Sequence, residues 1–340
     1  MKKFTIICAI LFAVFAVAFG ISVAVTGVRS GGMTLSFNPV IRLGGFGGGI
    51  EFNDNGKETS YKTEAGTFSY DFNGDVHDID VAAVTAETAI RYGDTTRVEI
   101  DYNVKNPTGL SFSAEVKDGR LTVEEKVFSF FTFNMGKSEN TLEITLPRKT
   151  YNDVEIVNVS GKNVISGLDC MNFTGTLTSG TGDYNLYAQN IELNTVSGNL
   201  TLTNRTDMKA HSIVLNNTSG NHKISGFLAD TIEINTVSGD ITAEKISGRT
   251  TVNSTSGTVN LDYKEWTNDL EINLVSGDCN VKLPKGSGVA LDFDRMSGDV
   301  EIDLDGTKTK ISSSSEAIYG GSIVHGVEAN VMSGDIEITD

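Results

Sequence analysis

The dipeptide Ser-Gly recurs through the second half of this 340-residue chain, and this repeat constrains the fold more than any other feature. Its Ser stands at positions 160, 179, 197, 219, 238, 256, 276, 297 and 333. The steps are close to twenty residues except the last, which is nearly two periods long. A period near twenty is a signature of solenoids, in which a single coil cannot bury its apolar side without its neighbours.

Apolar and polar residues alternate on both sides of each Ser-Gly. All nine residues five positions after the Ser are apolar, and eight of the nine residues four positions after it are polar. The residues four and six positions before the Ser are mostly Ile, Leu, Val or Phe, and Glu often stands between them. Such alternation is typical of a strand with one buried face. Because parallel crossovers are almost always right-handed, the sequence predicts an all-β, right-handed parallel β-solenoid (β-helix).

Two further columns of the repeat have structural interpretations. Asn stands three residues before the Ser in most copies, at Asn194, Asn216, Asn235, Asn253, Asn273 and Asn330, with Asp294 in the same column. Stacked Asn side chains can hydrogen-bond from coil to coil, so we expect an Asn ladder; a sugar or metal site is the alternative. A second Gly at Gly167, Gly226 and Gly248 predicts corners with positive φ.

The N-terminus contains a 25-residue run without charge, Phe4 to Val28, between Lys3 and Arg29. A helix of this length can cross a bilayer, whereas the apolar part of a cleaved signal is usually about 7–15 residues long. We therefore expect a single-pass membrane anchor with a cytoplasmic N-terminus. The alternative is a signal cleaved after Ala18, which would make the protein secreted.

These features divide the chain into three parts. Residues 1–29 form the membrane anchor or signal, and residues 30–75 form a Gly-rich juxtamembrane spacer. Residues 76–340 form the solenoid, with opening coils at 76–150 and regular Ser-Gly repeats at 151–340.

The charge of the chain limits its partners. The net charge is −17, and the part after Arg29 holds 24 basic against 44 acidic residues, a net charge of −20. Such a surface repels phosphate, which excludes nucleic acid. It favours a cationic peptide or a divalent cation, in addition to the protein's own membrane and an envelope or surface ligand.

The repeats resemble a known family. The segments "NTVSGDI" at 235–241, "NLVSGDC" at 273–279, "RMSGDVEI" at 295–302 and "VMSGDIEI" at 331–338 are similar to the candidate-adhesin family of bacterial surface β-solenoids. The segments "DGRLTVEEK" at 118–126 and "LEITLP" at 142–147 resemble its opening coils. This is a family of domains of unknown function that includes membrane-anchored proteins of Lia-type envelope-stress operons. The resemblance implies an adhesin-like or cell-envelope-stress protein at the cell surface and gives no catalytic residues.

The sequence contains no recognisable catalytic motif. The four His residues are scattered, no pair has zinc spacing, and no cofactor motif is present. His222 is expected in the core. Cys170 and Cys279 lie about five coils apart, too far to form a disulfide. We therefore predict a binding or structural protein and no enzyme; the alternative is a carbohydrate-active enzyme, which would need a cleft lined by carboxylates plus Arg or Lys.

Two surface features are candidate sites. Asp278 and Asp299 follow consecutive Ser-Gly turns, and two neighbouring carboxylates are candidate cation ligands, although capping of the turn is the simpler interpretation. Four aromatic residues, Phe128, Phe130, Phe131 and Phe133, cannot all face one side of a strand. They predict either a cap over the first coil or a contact patch for a membrane or a partner.

Overall fold

The computed structural model describes residues 49–102, 110–127 and 140–340, and these residues are all-β. They form 26 strands and contain no helix, so the described part of the chain offers no helix able to cross a membrane. The predicted anchor at 4–28 and the four-Phe segment lie outside the described residues.

Two compact units make up the described chain. The N-unit is the described part of Val23–Ala188, and the C-unit is Gln189–Asp340. The strands of the N-unit are β1 (Ile50–Asp54), β2 (Lys57–Lys62), β3 (Gly66–Phe72), β4 (Asp78–Ala83), β5 (Glu87–Gly93), β6 (Thr96–Tyr102), β7 (Leu110–Lys117), β8 (Arg120–Val127), β9 (Thr141–Pro147), β10 (Thr150–Asn158) and β11 (Lys162–Leu177). Strand β12 (Thr181–Thr195) continues from one unit into the other.

The C-unit contains the remaining strands of the described chain. They are β13 (Asn199–Asn204), β14 (Ala210–Asn217), β15 (His222–Ser225), β16 (Leu228–Thr236), β17 (Ile241–Ser254), β18 (Thr258–Tyr263), β19 (Leu270–Leu274), β20 (Asp278–Lys282), β21 (Ser287–Arg295), β22 (Val300–Leu304), β23 (Thr307–Ile311), β24 (Ser315–Gly320), β25 (Ile323–Val331) and β26 (Ile336–Thr339).

Parallel ladders between successive coils build the C-unit, as the repeat predicts. On one side β12, β14, β16, β17 and β19 pair in that order, and on the other side β13, β15, β17, β18 and β20 do so. The column four residues before each Ser points inward. Its members Leu193, Leu215, Ile234, Val252, Ile272, Ala329 and Phe293 are in register and buried.

The final coils are not stacked in sequence order. Strand β25 pairs with β19 on one side and with β21 on the other, and β26 lies in the same way between β20 and β22. The C-terminal coil is therefore inserted between two coils that precede it in the sequence. The long gap between Ser297 and Ser333 is filled by β23 and β24, which pair antiparallel with β22 and β21.

The N-unit has a comparable inversion of order. Strand β4 pairs in parallel with β8 and with β10, and β5 pairs in parallel with β9 and with β11. Residues 50–72, which the sequence analysis assigned to a spacer, contain β1, β2 and β3; β1 pairs in parallel with β7. The glycines that suggested a spacer precede β1, and the following residues alternate well enough to form strands.

The Ser-Gly turns show why both residues recur. The Ser238 hydroxyl donates a hydrogen bond to the Thr218 carbonyl of the neighbouring coil at 3.2 Å, and Ser256 donates to Val237 at 3.0 Å. A Cβ at Gly239 would overlap the carbonyl oxygen of Gly220 in that coil, so a larger residue would separate the coils. The second Gly type has the positive φ that the sequence predicts, for example 80° at Gly226.

Candidate functional site

The Asp column after the Ser-Gly turns is part of the hydrogen bonding between coils. The Asp335 backbone N–H donates to Asp278 Oδ1 at 3.0 Å, and the Asp299 N–H donates to Asp335 Oδ1 at 2.8 Å. Asp278 and Asp299 are therefore not on neighbouring coils, because Asp335 of the inserted coil lies between them. Neutral members of the column do the same: Asn199 accepts from the Asn221 N–H at 2.9 Å.

Two cations lie beside Asp299, at the end of this column. Lys310 Nζ is 2.7 Å from one carboxylate oxygen, and Arg295 Nη1 is 3.4 Å from the other. The hydrogen bond from Lys310 is the main reason that the pKa of Asp299 lies below its usual value. Among the described residues no group of three or more His, Cys, Asp or Glu side chains is arranged to hold a metal ion. The carboxylates of Asp278 and Asp335 thus accept hydrogen bonds from the next coil of the stack, rather than from their own turn as the simpler interpretation expected.

The Asn column forms the expected ladder. Asn216 Nδ2 donates to Asn194 Oδ1 at 2.8 Å, and the same bond joins each later Asn to the one before it, at 2.9, 2.9, 3.0 and 3.1 Å. Asn330 belongs to the inserted coil and bonds to Asn273, which shows that the ladder follows the spatial order of the coils. Its amides are occupied by one another, as a structural column requires.

A column of carboxylates lies two residues before the Asn column on the outer face. Glu271 is in register with Glu328, Glu328 with Asp292, and Asp292 with Glu316. We call these four residues the acidic column. Glu271 and Glu328 each accept a hydrogen bond from the Asn two residues later, at 2.9 and 3.4 Å. Four carboxylates on four adjacent strands concentrate negative charge on one surface of the C-unit.

Sequence reasoning missed the acidic column because three of its members come together through the changed order of the coils. Glu328 is 36 residues after Asp292 in the sequence and beside it in the structure. The one signal in the sequence is the double-length step from Ser297 to Ser333.

His222 is buried in the core, as expected. It replaces an aliphatic residue between Leu200 and Ile241 of the neighbouring coils. Its Nε2 is 2.5 Å from the Thr195 hydroxyl oxygen, whereas Nδ1 is buried with no hydrogen-bond partner. Burial lowers the pKa of His222 to about 4, so the ring is neutral at pH 7.

Both described cysteines are free and buried, and they form no disulfide with each other. Burial is the main reason that the pKa of each thiol rises to about 12. Neither Cys170 nor Cys279 is therefore a thiolate at neutral pH, which excludes both as nucleophiles.

The N-unit has a polar cavity of about 350 Å³ on the face formed by β3, β5, β6 and β9. It is lined by Asp71, Arg91, Asp94, Thr95, Arg97, Glu99, Glu143 and Thr145. Arg97 makes a bidentate pair with Asp71 at 2.7 and 2.8 Å, and Arg91 forms an ion pair with Glu143. The hydrogen bond from Arg97 lowers the pKa of Asp71. The cavity was not anticipated from the sequence, because its residues come from four strands and the turn between β5 and β6 without a shared motif.

A family model matches most of the solenoid region. The model of the family described as Toastrack DUF4097 matches residues 76–339 and confirms the resemblance carried by the Ser-Gly-Asp segments. A solved structure of a candidate adhesin from Parabacteroides distasonis is 16% identical with a TM-score of 0.47, and the match covers 84% of this chain and 99% of that one. A candidate lipid-binding protein from the same species is 16% identical with a TM-score of 0.46, over 84% and 98% of the two chains. A candidate adhesin from Bacteroides fragilis is 15% identical with a TM-score of 0.39, over 80% and 95%. No curated protein matches the sequence.

Proposed function

This chain belongs to the Toastrack DUF4097 family, and we propose that it is an adhesin-like binding protein of the cell envelope that acts without catalysis. Residues 4–28 hold it on the membrane with the β-domain outside the cytoplasm, and it serves in envelope stress as the resemblance to Lia-type proteins implies. The acidic column carries the proposal of binding, because it is a row of like charges on the outer face that the fold does not need for its core.

The repeat itself supports a scaffold. The Asn ladder and the Asp column use their polar atoms to join coils, so these side chains fix the spacing of the strands rather than contact a substrate. A rigid ladder holds the acidic column at the strand spacing of about 4.8 Å. A flexible cationic peptide or a divalent cation can reduce the repulsion between those carboxylates, which favours such a partner.

The binding proposal is tested with a lysine decapeptide and the full chain. We expect binding that weakens steeply between low and physiological salt, because exposed charges are screened within about 8 Å at physiological ionic strength. A double variant, Glu328→Gln with Asp292→Asn, should weaken binding several-fold. The matched control, Glu233→Gln, lies on the same face beside the neutral Val214 and Thr251 and should not. Binding that is independent of salt, or equal for both variants, contradicts an electrostatic role.

The membrane anchor is tested separately. If residues 4–28 are retained as a span, the protein stays in the membrane fraction through high-salt and carbonate washes. A mature protein that begins at Phe19 shows instead that the segment is a cleaved signal and that the protein is secreted.

A second candidate function rests on the cavity of the N-unit. Its carboxylates and arginines are the side chains that a carbohydrate-active enzyme on a β-helix would use. The arginines already pair with carboxylates, and Asp71 with its lowered pKa is a poor general acid, so we rank this function second. Cleavage of an acidic polysaccharide that disappears in Arg97→Ala and Glu99→Gln would establish it.

A further inference from the structure

Strand β24 lies at an edge of the sheet. It pairs antiparallel with β21, with Ile318 opposite Ala290 and Glu316 opposite Asp292. Among the described residues, this is the only ladder that β24 forms. Its other side presents backbone N–H and C=O groups in the arrangement to which a further strand can bond.

Strand β23 precedes β24 in the sequence and pairs with β22. Unlike β24, it carries side chains that oppose the addition of another strand. It carries Lys308 and Lys310, which form ion pairs with Glu301 and Asp299. Lysine on an edge strand opposes the addition of another strand, because the new strand would have to desolvate it. Strand β24 has the sequence Ser-Glu-Ala-Ile-Tyr-Gly and contains neither Lys nor Pro.

An exposed apolar patch adjoins the β24 edge. Ile318 is 70% exposed and Val324 is 38% exposed, whereas Ile323, one residue before Val324, faces the other side of the sheet. Val324 is in register with Gly288, which is in register with Gly320, so Val324 and Ile318 lie on one face of the sheet. Every second side chain of an added strand would lie on this same face, beside Ile318. Exposed apolar patches usually mark contact sites.

We propose that two copies of this chain associate through β24, as antiparallel strands related by a two-fold axis perpendicular to the sheet. Such an axis keeps each residue on its own face and lets Ile318 lie opposite Ile318 of the second copy. Glu316 then lies opposite Gly320, and Ala317 opposite Tyr319, so no like charges face each other. The strand is thus complementary to itself, as an isologous interface requires, and the sheet continues from one copy into the other.

The register is tested by a disulfide. Directly opposite residues of an antiparallel pair have Cα atoms about 4.5–5.5 Å apart, within the range that a disulfide can bridge. In the full chain with Cys8→Ser, mild oxidation should link Ile318→Cys into a dimer. Cys170 and Cys279 are buried and do not compete. The control is Met296→Cys, because Met296 is 71% exposed and lies outside β24. Equal linkage of both variants shows random collision and overturns the proposal.

Association without a cross-link is tested by sedimentation of the full chain in detergent micelles over a range of protein concentrations. We expect a dimer that Ile318→Lys weakens about tenfold or more, because it places two like charges opposite each other. Met296→Lys should change the dissociation constant less than twofold. Equal melting temperatures for the two variants show that the fold is intact. A chain that is monomeric throughout, or a dimer that Ile318→Lys leaves unchanged, overturns the proposal.

Discussion

The C-unit has central coils, β14 to β18, and terminal coils, β19 to β26. Both are built from the same repeat, but they differ in the charge of the outer face. In the central coils the outer column reads Val214, Glu233, Thr251, so a neutral residue lies on each side of the Glu. In the terminal coils the same column becomes the acidic column, four carboxylates in succession. The apolar inward column is continuous through both.

This difference shows that the core and the outer face obey separate requirements. A buried position must be apolar in every coil, because an unpaired buried charge costs several kcal/mol. An outer position tolerates like charges, because water screens them and their repulsion costs only tenths of a kcal/mol to about 1 kcal/mol. The terminal coils can therefore hold a charged surface on a core that is as apolar as that of the central coils.

The largest expected effect is at the inward column of the central coils. Ile234→Asp places a carboxylate between Leu215 and Val252, where no partner exists, and we expect loss of the folded state. Glu233→Gln, one residue earlier and on the outer face, should leave the melting temperature nearly unchanged. Thermal unfolding followed by circular dichroism checks both variants. Similar melting of the two would show that the inward and outward faces are assigned wrongly.

The next effect depends on pH and on His222. The pKa of this side chain is about 4 in the folded chain and about 6.5 when unfolded. Between these values the unfolded chain binds a proton that the folded chain does not, so stability falls as the pH falls from 6.5 to 4. The loss between pH 7 and pH 4 is on the order of 3 kcal/mol. His222→Ile should remove it, and Thr195 would keep its hydrogen bond to Asn217 at 3.0 Å. Denaturant unfolding at several pH values measures the slope of stability against pH, and the slopes of the two chains should differ below pH 6.5 and coincide above pH 7.

Much of the fold could be predicted from the sequence because each coil repeats the same local requirements. The alternation of apolar and polar residues predicted the inward column, and Gly226 predicted a corner with positive φ. The recurring Asn from Asn216 to Asn330 predicted the ladder. The order of the coils could not be predicted, because β25 has the same pattern as any other coil and would fit several positions in the stack. The candidate sites depend on that order, so the separation of Asp278 from Asp299 could not be predicted either.

The burial of particular polar residues could not be predicted from the sequence either. Glu125 in β8 is 6% exposed, and its carboxylate accepts the backbone N–H groups of Val84, Thr85 and Ala86 at 2.6, 2.7 and 3.0 Å. In the alternation pattern it is one more Glu in a charged run. Only the pairing of β8 with β4 brings it to that turn, and this pairing joins segments about forty residues apart.

A smaller effect concerns the Asn ladder of the central coils. Asn235→Asp removes the donor to Asn216 and to Glu233, and it puts a second carboxylate beside Glu233. We expect a loss of about 1–3 kcal/mol, the usual consequence of leaving a buried acceptor without its donor. Asn268→Asp is the control, because Asn268 is half-buried in a loop outside the ladder and its side chain donates to the hydroxyl of the adjacent Thr267. Urea unfolding compares the two, and equal midpoints would show that the ladder contributes nothing.

The smallest effect is at the acidic column and has the opposite sign. Glu328 lies between Glu271 and Asp292, so Glu328→Gln removes two repulsions and keeps an oxygen for the hydrogen bond from Asn330. We expect a gain of about 0.5 kcal/mol at low salt, within the range for cross-strand charge pairs. The gain should disappear at high salt, because the repulsion is already screened there. Calcium added to the unaltered chain should stabilise it by a similar amount, and should stabilise the variant less, because fewer carboxylates remain to be neutralised. Glu233→Gln in the central coils has neutral neighbours and should show no gain under any of these conditions. Equal gains for Glu328→Gln and Glu233→Gln, or a gain that survives high salt, would show that repulsion between the four carboxylates is not what distinguishes the terminal coils from the central ones.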